Sequence, residues 1–472
     1  MKPPGGFQRL FGGGMAKAAP ARAAAPALAI RDLGVPSWAE LRAQAGERRA
    51  ELGLPAPAAA ADRPANPHDL LRAFGSDTPP RVKLYRDHAA WCPYCHKIWL
   101  FLETKQIPYE VEKINMRCYG DKPRSFLAKV PSGMLPVAEI DGRVVTESDR
   151  ILFELEDLYK DRVPLVPTEP AAAERFARLL RLERELFGAW MQWLTSGWSD
   201  AANRANFEAV LAAVDQELFV TEGPWFCDDF SLVDIQFVPF LERMVASLLY
   251  YKGYNVRSEM WPGIVAWFEG LEGRAAYVGT KSDYYTHVHD LPPQLGGCAF
   301  NDRAEDFKRA IDGLDGTSWH LPLPPLAETV EPVTGLLAEE PERDRLEAAD
   351  KLLGNHEAVV RFAARGCGTP GPRPVAAPLA DPTATPGTAH LPAVDLALRF
   401  VVLCLLAGDG EGVGPGFGLE FEPDGSGAGS DVVASAAYLR DRIGVPRDLK
   451  LPAARQLRAH LNYLIRRMTP AT

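Results

Sequence analysis

The chain has 472 residues, too long for one ordinary domain, so two or three are expected. Hydrophobic residues make up 47% and charged residues 24%, the balance of a globular protein with a full core. A net charge of −10 excludes general attraction to nucleic acid or anionic lipid, and 7 cysteines, an odd and small number, exclude a disulfide-built secreted scaffold.

Residues 1–31 carry Lys2, Arg9, Lys17, Arg22 and Arg31, with no acid before Asp32. Ala, Gly and Pro fill most of the rest. Two readings stay open: an organellar transit peptide, with plastid ahead of mitochondrion on the Ala/Pro bias, or an extension with no targeting role on a cytoplasmic protein. Trp38 to Leu52 reads as a short amphipathic helix. Ala56 to Pro80 is rich in Ala and Pro and reads as a linker, with room for a short helix near His68 to Phe74. Residues 1–80 are therefore expected to be extension and linker.

At Arg81 the texture changes. Val82 and Leu84 alternate with charged residues, as in a half-buried strand. Pro93 to Gln106 is dense in apolar residues and reads as a buried helix. Tyr109 to Asn115 alternates again. A short helix follows at Pro123 to Lys129. Pro136 to Ile140 and Arg143 to Thr146 read as strands joined by Asp141-Gly142, a strong hairpin signal. Ser148 to Tyr159 places Ile151, Leu152, Leu155 and Leu158 on one helical face. The order β-α-β-α-β-β-α over residues 81–165 is that of a thioredoxin-like α/β domain.

Residues 171–285 read as an all-α domain, with long amphipathic stretches at Ala171–Thr195, Ala202–Val220 and Leu232–Tyr250, and a shorter one at Trp261–Leu271. Ser231 and Asp234 fit a capping box at the third. Residues 290–472 read as an additional helical region. Its helices are expected at Asp302–Ile311, Glu339–Ala364, Val394–Ala407, Val432–Ile443 and Ala453–Arg467, with flexible loops at 366–392 and 408–429. The glycines of the second loop fit neither a dinucleotide nor a phosphate-loop spacing. Val394–Ala407 is too short for a membrane span and contains Arg399. Arg455, Arg458, Arg466 and Arg467 read as a solvated face of the last helix.

The chemistry centres on Cys92-Pro93-Tyr94-Cys95, between the first strand and the first helix of the α/β domain. A cysteine at a helix N-terminus faces unpaired N–H groups and the positive end of the dipole, which stabilise a thiolate. Cys92 is the expected nucleophile. Cys95, one turn further on the same face, is placed to resolve a mixed disulfide. Other readings of the motif are c-type haem attachment, which C-x-x-C-H matches literally, a zinc site, and a pair of structural cysteines. Zinc would need further ligands. His96 is adjacent, but His287 and His289 are remote and read as surface loop residues, so no metal is expected.

Cys92-Pro93-Tyr94-Cys95-His96 resembles a glutaredoxin active site, and the run after it resembles the cysteine-type glutathione S-transferases of the omega, lambda and dehydroascorbate reductase classes. Asp121-Lys122-Pro123 is similar to the Asn-Lys-Pro of the omega class. Gly133-Met134-Leu135-Pro136-Val137 is similar to the cis-proline segment of thioredoxin folds, and Glu147-Ser148 to the Glu-Ser pair of the family. The resemblance implies that Lys122 meets the glycyl carboxylate of glutathione. It implies that Leu135 pairs its backbone with the cysteinyl moiety beside Pro136, and that Glu147 and Ser148 grip the γ-glutamyl end. Pro93 and Tyr94 complete the glutathione-binding set. The likeness covers roughly residues 81–285. It departs from the family pattern in two ways: residues 290–472 follow, and the active site has two cysteines where most plant cysteine-type members have one.

The function implied is glutathione-dependent thiol transfer. The Cys92 thiolate would form a mixed disulfide with glutathione while reducing a small oxidised or glutathionylated substrate, with glutathione as co-substrate. The resemblance also implies a homodimer, unless the C-terminal extension covers that surface. The rival is a binding or scaffold protein in which the helical C-terminal region is the functional part.

Overall fold

The computed structural model describes residues 28–54, 65–116, 119–167, 169–371, 379, 381–408, 418–423 and 427–469. Residues 1–27 of the expected leader, 1–31, lie outside them, as does the middle of the linker.

Two pieces of the N-terminal extension are folded. β1 (Leu28–Leu33) is a strand, and α1 (Trp38–Glu51) is a helix opened by a Ser37–Glu40 capping box. β2 (Leu71–Arg72) then adds an edge strand where a short helix was expected. Backbone pairing decides this outcome, because β2 lies antiparallel to the strand at Tyr109–Ile114. Arg72 is buried there against Glu103, with N···O distances of 2.9 and 2.8 Å.

The α/β domain follows the predicted order. β3 (Val82–Asp87), α2 (Pro93–Lys105), β4 (Tyr109–Ile114), α3 (Arg124–Lys129), β5 (Val137–Ile140), β6 (Arg143–Thr146) and α4 (Ser148–Leu158) build one sheet of order β2-β4-β3-β5-β6. β3 runs parallel to β4 and antiparallel to β5. It is central and covered on both faces, so its burial is nearly continuous rather than alternating. α2 is enclosed for the same reason: it packs against α4 and against the central helix of the next domain.

That domain comprises α5 (Pro170–Thr195), α6 (Asp200–Glu217), α7 (Leu232–Lys252), α8 (Pro262–Glu272), α9 (Ala275–Val278) and α10 (Tyr284–Leu295). The Ser231–Asp234 capping box is present, with Ser231 N–H donating to Asp234 at 2.8 Å. α7 is enclosed on all sides along nearly its whole length, its buried polar residues, Asp234, Glu242 and Arg243 among them, included. α10 corrects the sequence reading. His287 and His289 lie on this helix rather than in a surface loop, and His287 is 1% exposed. The paired prolines Pro292 and Pro293 mask the helix in the sequence, but they fall in its last turns.

The remaining region has α11 (Glu305–Ile311), α12 (Pro341–Gly354), α13 (His356–Ala363), α14 (Leu391–Ala407), β7 (Gly418–Pro423), α15 (Ala428–Arg440) and α16 (Leu451–Met468). The expected helix at 339–364 breaks at Asn355, where φ is −150°. α12, α14, α15 and α16 pack together, and α1 docks on α12 and α14. Trp38 Nε1 donates to Asp395 at 2.8 Å, and Arg399 donates to the Val35 and Pro36 carbonyls at 3.0 Å. Residues 28–51 thus belong structurally with the C-terminal helices and are not linker. The 408–429 stretch is also not wholly loop, since β7 pairs with β1 in an antiparallel ribbon.

Arg455 and Arg458 are buried, not solvated. Arg458 pairs with Asp283 at 2.7 Å, and Arg455 with Glu339. Only Arg466 and Arg467 of that set face solvent. The larger apolar core runs from the sheet through α7 into α14 and α16, and a smaller one, with Tyr85, Ile114, Phe126, Val130 and Val137, lies beside α3. No helix among the described residues is long and apolar enough to cross a membrane.

Candidate active site

β3 ends at Asp87, and six residues later, at Pro93, α2 begins. Cys92 is the N-cap of α2 and Pro93 occupies its first turn, where a missing N–H costs nothing. The loop is held from both sides. Asp87 Oδ2 accepts from Trp91 N–H at 2.7 Å. From α7, Arg243 donates to the Trp91 carbonyl and to that of Pro239, and its guanidinium lies 4.7 Å from the centre of a Trp91 ring.

Cys92 is 9% exposed and Cys95 is 1% exposed; both are free thiols. Burial, then a hydrogen bond with Cys92 and its charge, pushes the Cys95 thiol well up, so it stays protonated at neutral pH. The two sulfurs and an Asp87 carboxylate oxygen lie within 4.8 Å of one another.

A cleft of about 690 Å³ opens in front of Cys92. Cys92, Pro93, Tyr94, Lys122 and Leu135 all line it. The Leu135–Pro136 peptide is cis, and Pro136 is buried just behind that wall. Lys122 Nζ donates to the Asn115 carbonyl at 2.8 Å, which steadies its stem at the rim. Glu147 and Ser148 are not among the lining residues; they sit where β6 gives way to α4. Glu147 is exposed with φ of +72°, a left-handed conformation for a non-glycine residue. The far wall comes from the all-α domain: Phe187, Trp190, Met191, Phe240 and Leu291.

Sequence reasoning missed the layer behind the motif. Arg243 is fully enclosed, and burial lowers it to about 10, while Glu242, Cys92, Asp87 and Cys95 favour its charge. Trp91 Nε1 donates to His287 Nδ1 at 3.2 Å, and His287 Nε2 meets Glu242 Oε2 at 3.2 Å. Burial holds His287 neutral and raises Glu242 to about 7. His96 turns away from the thiols and meets Thr280 Oγ1 at 3.0 Å. Adjacent Glu242 and Arg243 in the middle of a largely apolar helix were the available signal, because buried charges need partners.

Residues 91–158 match the family model for the glutathione S-transferase N-terminal domain, and residues 180–269 match the one for its C-terminal domain. These segments are glutathione S-transferase domains. Similar proteins include the glutathione S-transferase DHAR2 of Arabidopsis thaliana, 29% identical over 40% of this chain and 84% of that protein. The chloroplastic glutathione S-transferase DHAR3 of the same plant is 25% identical over 44% of this chain and 75% of the relative. Among solved structures, the omega 3C glutathione transferase of Trametes versicolor is 26% identical, covering 45% of this chain and 93% of its own, at a TM-score of 0.38. Both transferase domain models thus match within one chain, and the two plant relatives named above are glutathione S-transferases.

Proposed function

We propose that the chain is a glutathione-dependent thiol transferase of the deglutathionylating or dehydroascorbate-reducing type, with Cys92 as nucleophile. The observation that carries this reading is the asymmetry of the two thiols. Cys92 caps α2 at the wall of the cleft, whereas Cys95 is enclosed and held protonated behind it.

On a glutathionylated thiol, the Cys92 thiolate attacks the glutathione sulfur. A Cys92–glutathione disulfide forms, the substrate disulfide breaks, and the substrate sulfur leaves and takes a proton. A second glutathione thiolate then attacks the mixed disulfide. Oxidised glutathione departs and the Cys92 thiolate returns. Cys95 offers an internal alternative for this second step once it has given up its proton. Arg243, at the back of the Trp91–Cys92 segment, supplies fixed positive charge to a site that cycles through a thiolate.

Glutathione lies along the wall in this reading. Lys122 meets its glycyl carboxylate, and the Leu135 backbone, set by Pro136, meets its cysteinyl unit. Pro93 and Tyr94 flank the sulfur. Glu147 and Ser148 receive the γ-glutamyl end at the α4 N-terminus, where unpaired N–H groups favour an anion. Conjugation is expected to be weak, because Cys92 captures the sulfur that a conjugating enzyme must leave free. No metal enters the scheme. A homodimer and a plastid location belong to the same proposal, the second drawn from the basic N-terminus and the chloroplastic relative.

Intact mass after incubation with oxidised glutathione tests the central claim. One glutathione adduct is expected on the wild type or on Cys95→Ser, and none on Cys92→Ser. A wild type that forms neither an adduct nor a Cys92–Cys95 disulfide would return the chain to a binding or scaffold role.

A further inference from the structure

The C-terminal helices do more than extend the core. Where they meet the thioredoxin-like domain they leave a second cleft, of about 1020 Å³, larger than the one at Cys92. His88, Asn115 and Tyr119 line it from the first domain; Lys351, Phe362 and Arg442 are among those that line it from the extension. It lies behind the catalytic loop: His88 faces this cleft, while Trp91 and Cys92 face the other.

Its walls are cationic beyond what the nearby carboxylates balance. Lys351, Arg361, Arg365, Arg442 and Arg447 line it, against Asp350, Asp381 and Asp448. Asp448 is bonded to Arg447 at 2.7 Å, and Asp350 to Arg49. Among the described residues neither Arg365 nor Arg442 has a salt-bridge partner. Arg442 is stacked 3.5 Å over the Tyr438 ring and donates once to the Tyr438 carbonyl at 3.3 Å, while its Nε has no partner among the described residues. Among the described residues Lys351 Nζ meets the His68 imidazole at 2.7 Å and a distant Asp448 oxygen at 3.9 Å.

Two further polar atoms are left over. Tyr119 is 2% exposed, and its hydroxyl has no hydrogen-bond partner among the described residues; nor has His88 Nδ1. Buried polar atoms are rarely abandoned in this way unless a ligand or water completes them. The electrostatics agree. Burial, then the charge of Lys351, holds His68 down to about 4; burial, then Arg447, lowers His88. Between the charged groups the wall is apolar, with Val359, Phe362, Leu439 and Ile443.

We propose that this second cleft binds an amphipathic anion, a small organic carboxylate or phosphate whose head meets Arg442, Lys351 and Tyr119 and whose apolar body packs on Phe362, Val359 and Leu439. Size fits: small-molecule pockets run to roughly 300–1,000 Å³ and combine an apolar lining with few polar groups. Only the charged head satisfies the arginine and the orphaned hydroxyl together, so a neutral apolar molecule would leave them desolvated and unpaired.

The test is a fluorescence titration of the full chain with 8-anilinonaphthalene-1-sulfonate, followed by displacement with decanoate or with decanol. Saturable binding is expected, reversed by decanoate and at least ten-fold less by decanol. Arg442→Gln should weaken it about ten-fold, the loss of one charge-assisted contact. Ala358→Trp fills the cleft from an exposed position on α13 and should weaken it as much without deleting any interaction; this variant decides the matter if Arg442→Gln fails to fold. No saturable binding, equal displacement by decanol, or wild-type affinity in Ala358→Trp would overturn the proposal.

Discussion

The thioredoxin-like domain and the C-terminal helical region solve the burial of charge in different ways. In the first, the chemistry is local. Cys92 and Cys95 share one helix turn, and the loop before them is tied by Asp87 four residues upstream of Trp91. In the second, charges are matched across long stretches of chain. Arg458 on α16 reaches Asp283 at the start of α10, and Arg455 reaches Glu339. A local site can be read as a motif. A long-range pair exists only once the fold has brought its partners together, so it marks where the extension is bound to the rest.

The largest test of that contrast is Arg458→Met. Both side chains of the Arg458–Asp283 pair are about fully buried, at 2% and 1% exposure. Removing one partner strands the other charge, at a cost of about 3–5 kcal/mol. Denaturant unfolding should show one cooperative transition moved to lower midpoint. Two separate transitions would instead reveal that the extension and the transferase domains unfold independently.

A smaller effect, with a distinct pH signature, is expected at Asp290 on α10. Burial lifts its carboxyl from an ordinary 3.8 to about 8, with Arg447 opposing and Asp87 adding to the rise. The unfolded chain releases this proton near its ordinary value, while the folded chain keeps it. The carboxyl therefore subtracts stability as pH rises from about 4 to about 8. Asp290→Asn should be more stable than the wild type at pH 8.5, by on the order of 2 kcal/mol, and close to it at pH 4.5. Melting temperatures at the two values check this; a gap that narrows with rising pH would refute it.

The smallest effect lies at the surface of the α/β domain. Arg81 and Asp141 form a two-point pair at 2.8 and 2.6 Å, yet both side chains are 50% exposed. Arg81→Ala should lower stability only slightly, and less still in high salt, because solvent screens the exposed pair. A loss comparable to that of Arg458→Met would erase the contrast between the regions.

Legibility in the sequence follows the same division. The strand–motif–helix order around Cys92, the hairpin at Asp141-Gly142 and the Ser231–Asp234 cap are all set by neighbours within a few residues, and all could be read. Arg243, Glu242 and His287 could not, because they come from α7 and α10 and converge behind the motif only in three dimensions. β7 was concealed differently. Leu419 and Phe421 alternate with Glu420 and Glu422, a strand signal, but the glycine run before them outweighed it. β2 is two residues long, too short to carry any period.

The β1–β7 ribbon has a consequence for how the chain comes off the ribosome. Leu28 pairs with Pro423 and Leu33 with Gly418, so β1 must wait until β7, hundreds of residues later in the chain, has been made. At roughly 5–20 residues per second, that delay is on the order of 20–80 s. The catalytic half can collapse while the first strand is still an unpaired edge, open to other chains. β1 is thus secured only after β7 has been made, and the nascent chain carries it unpaired until then.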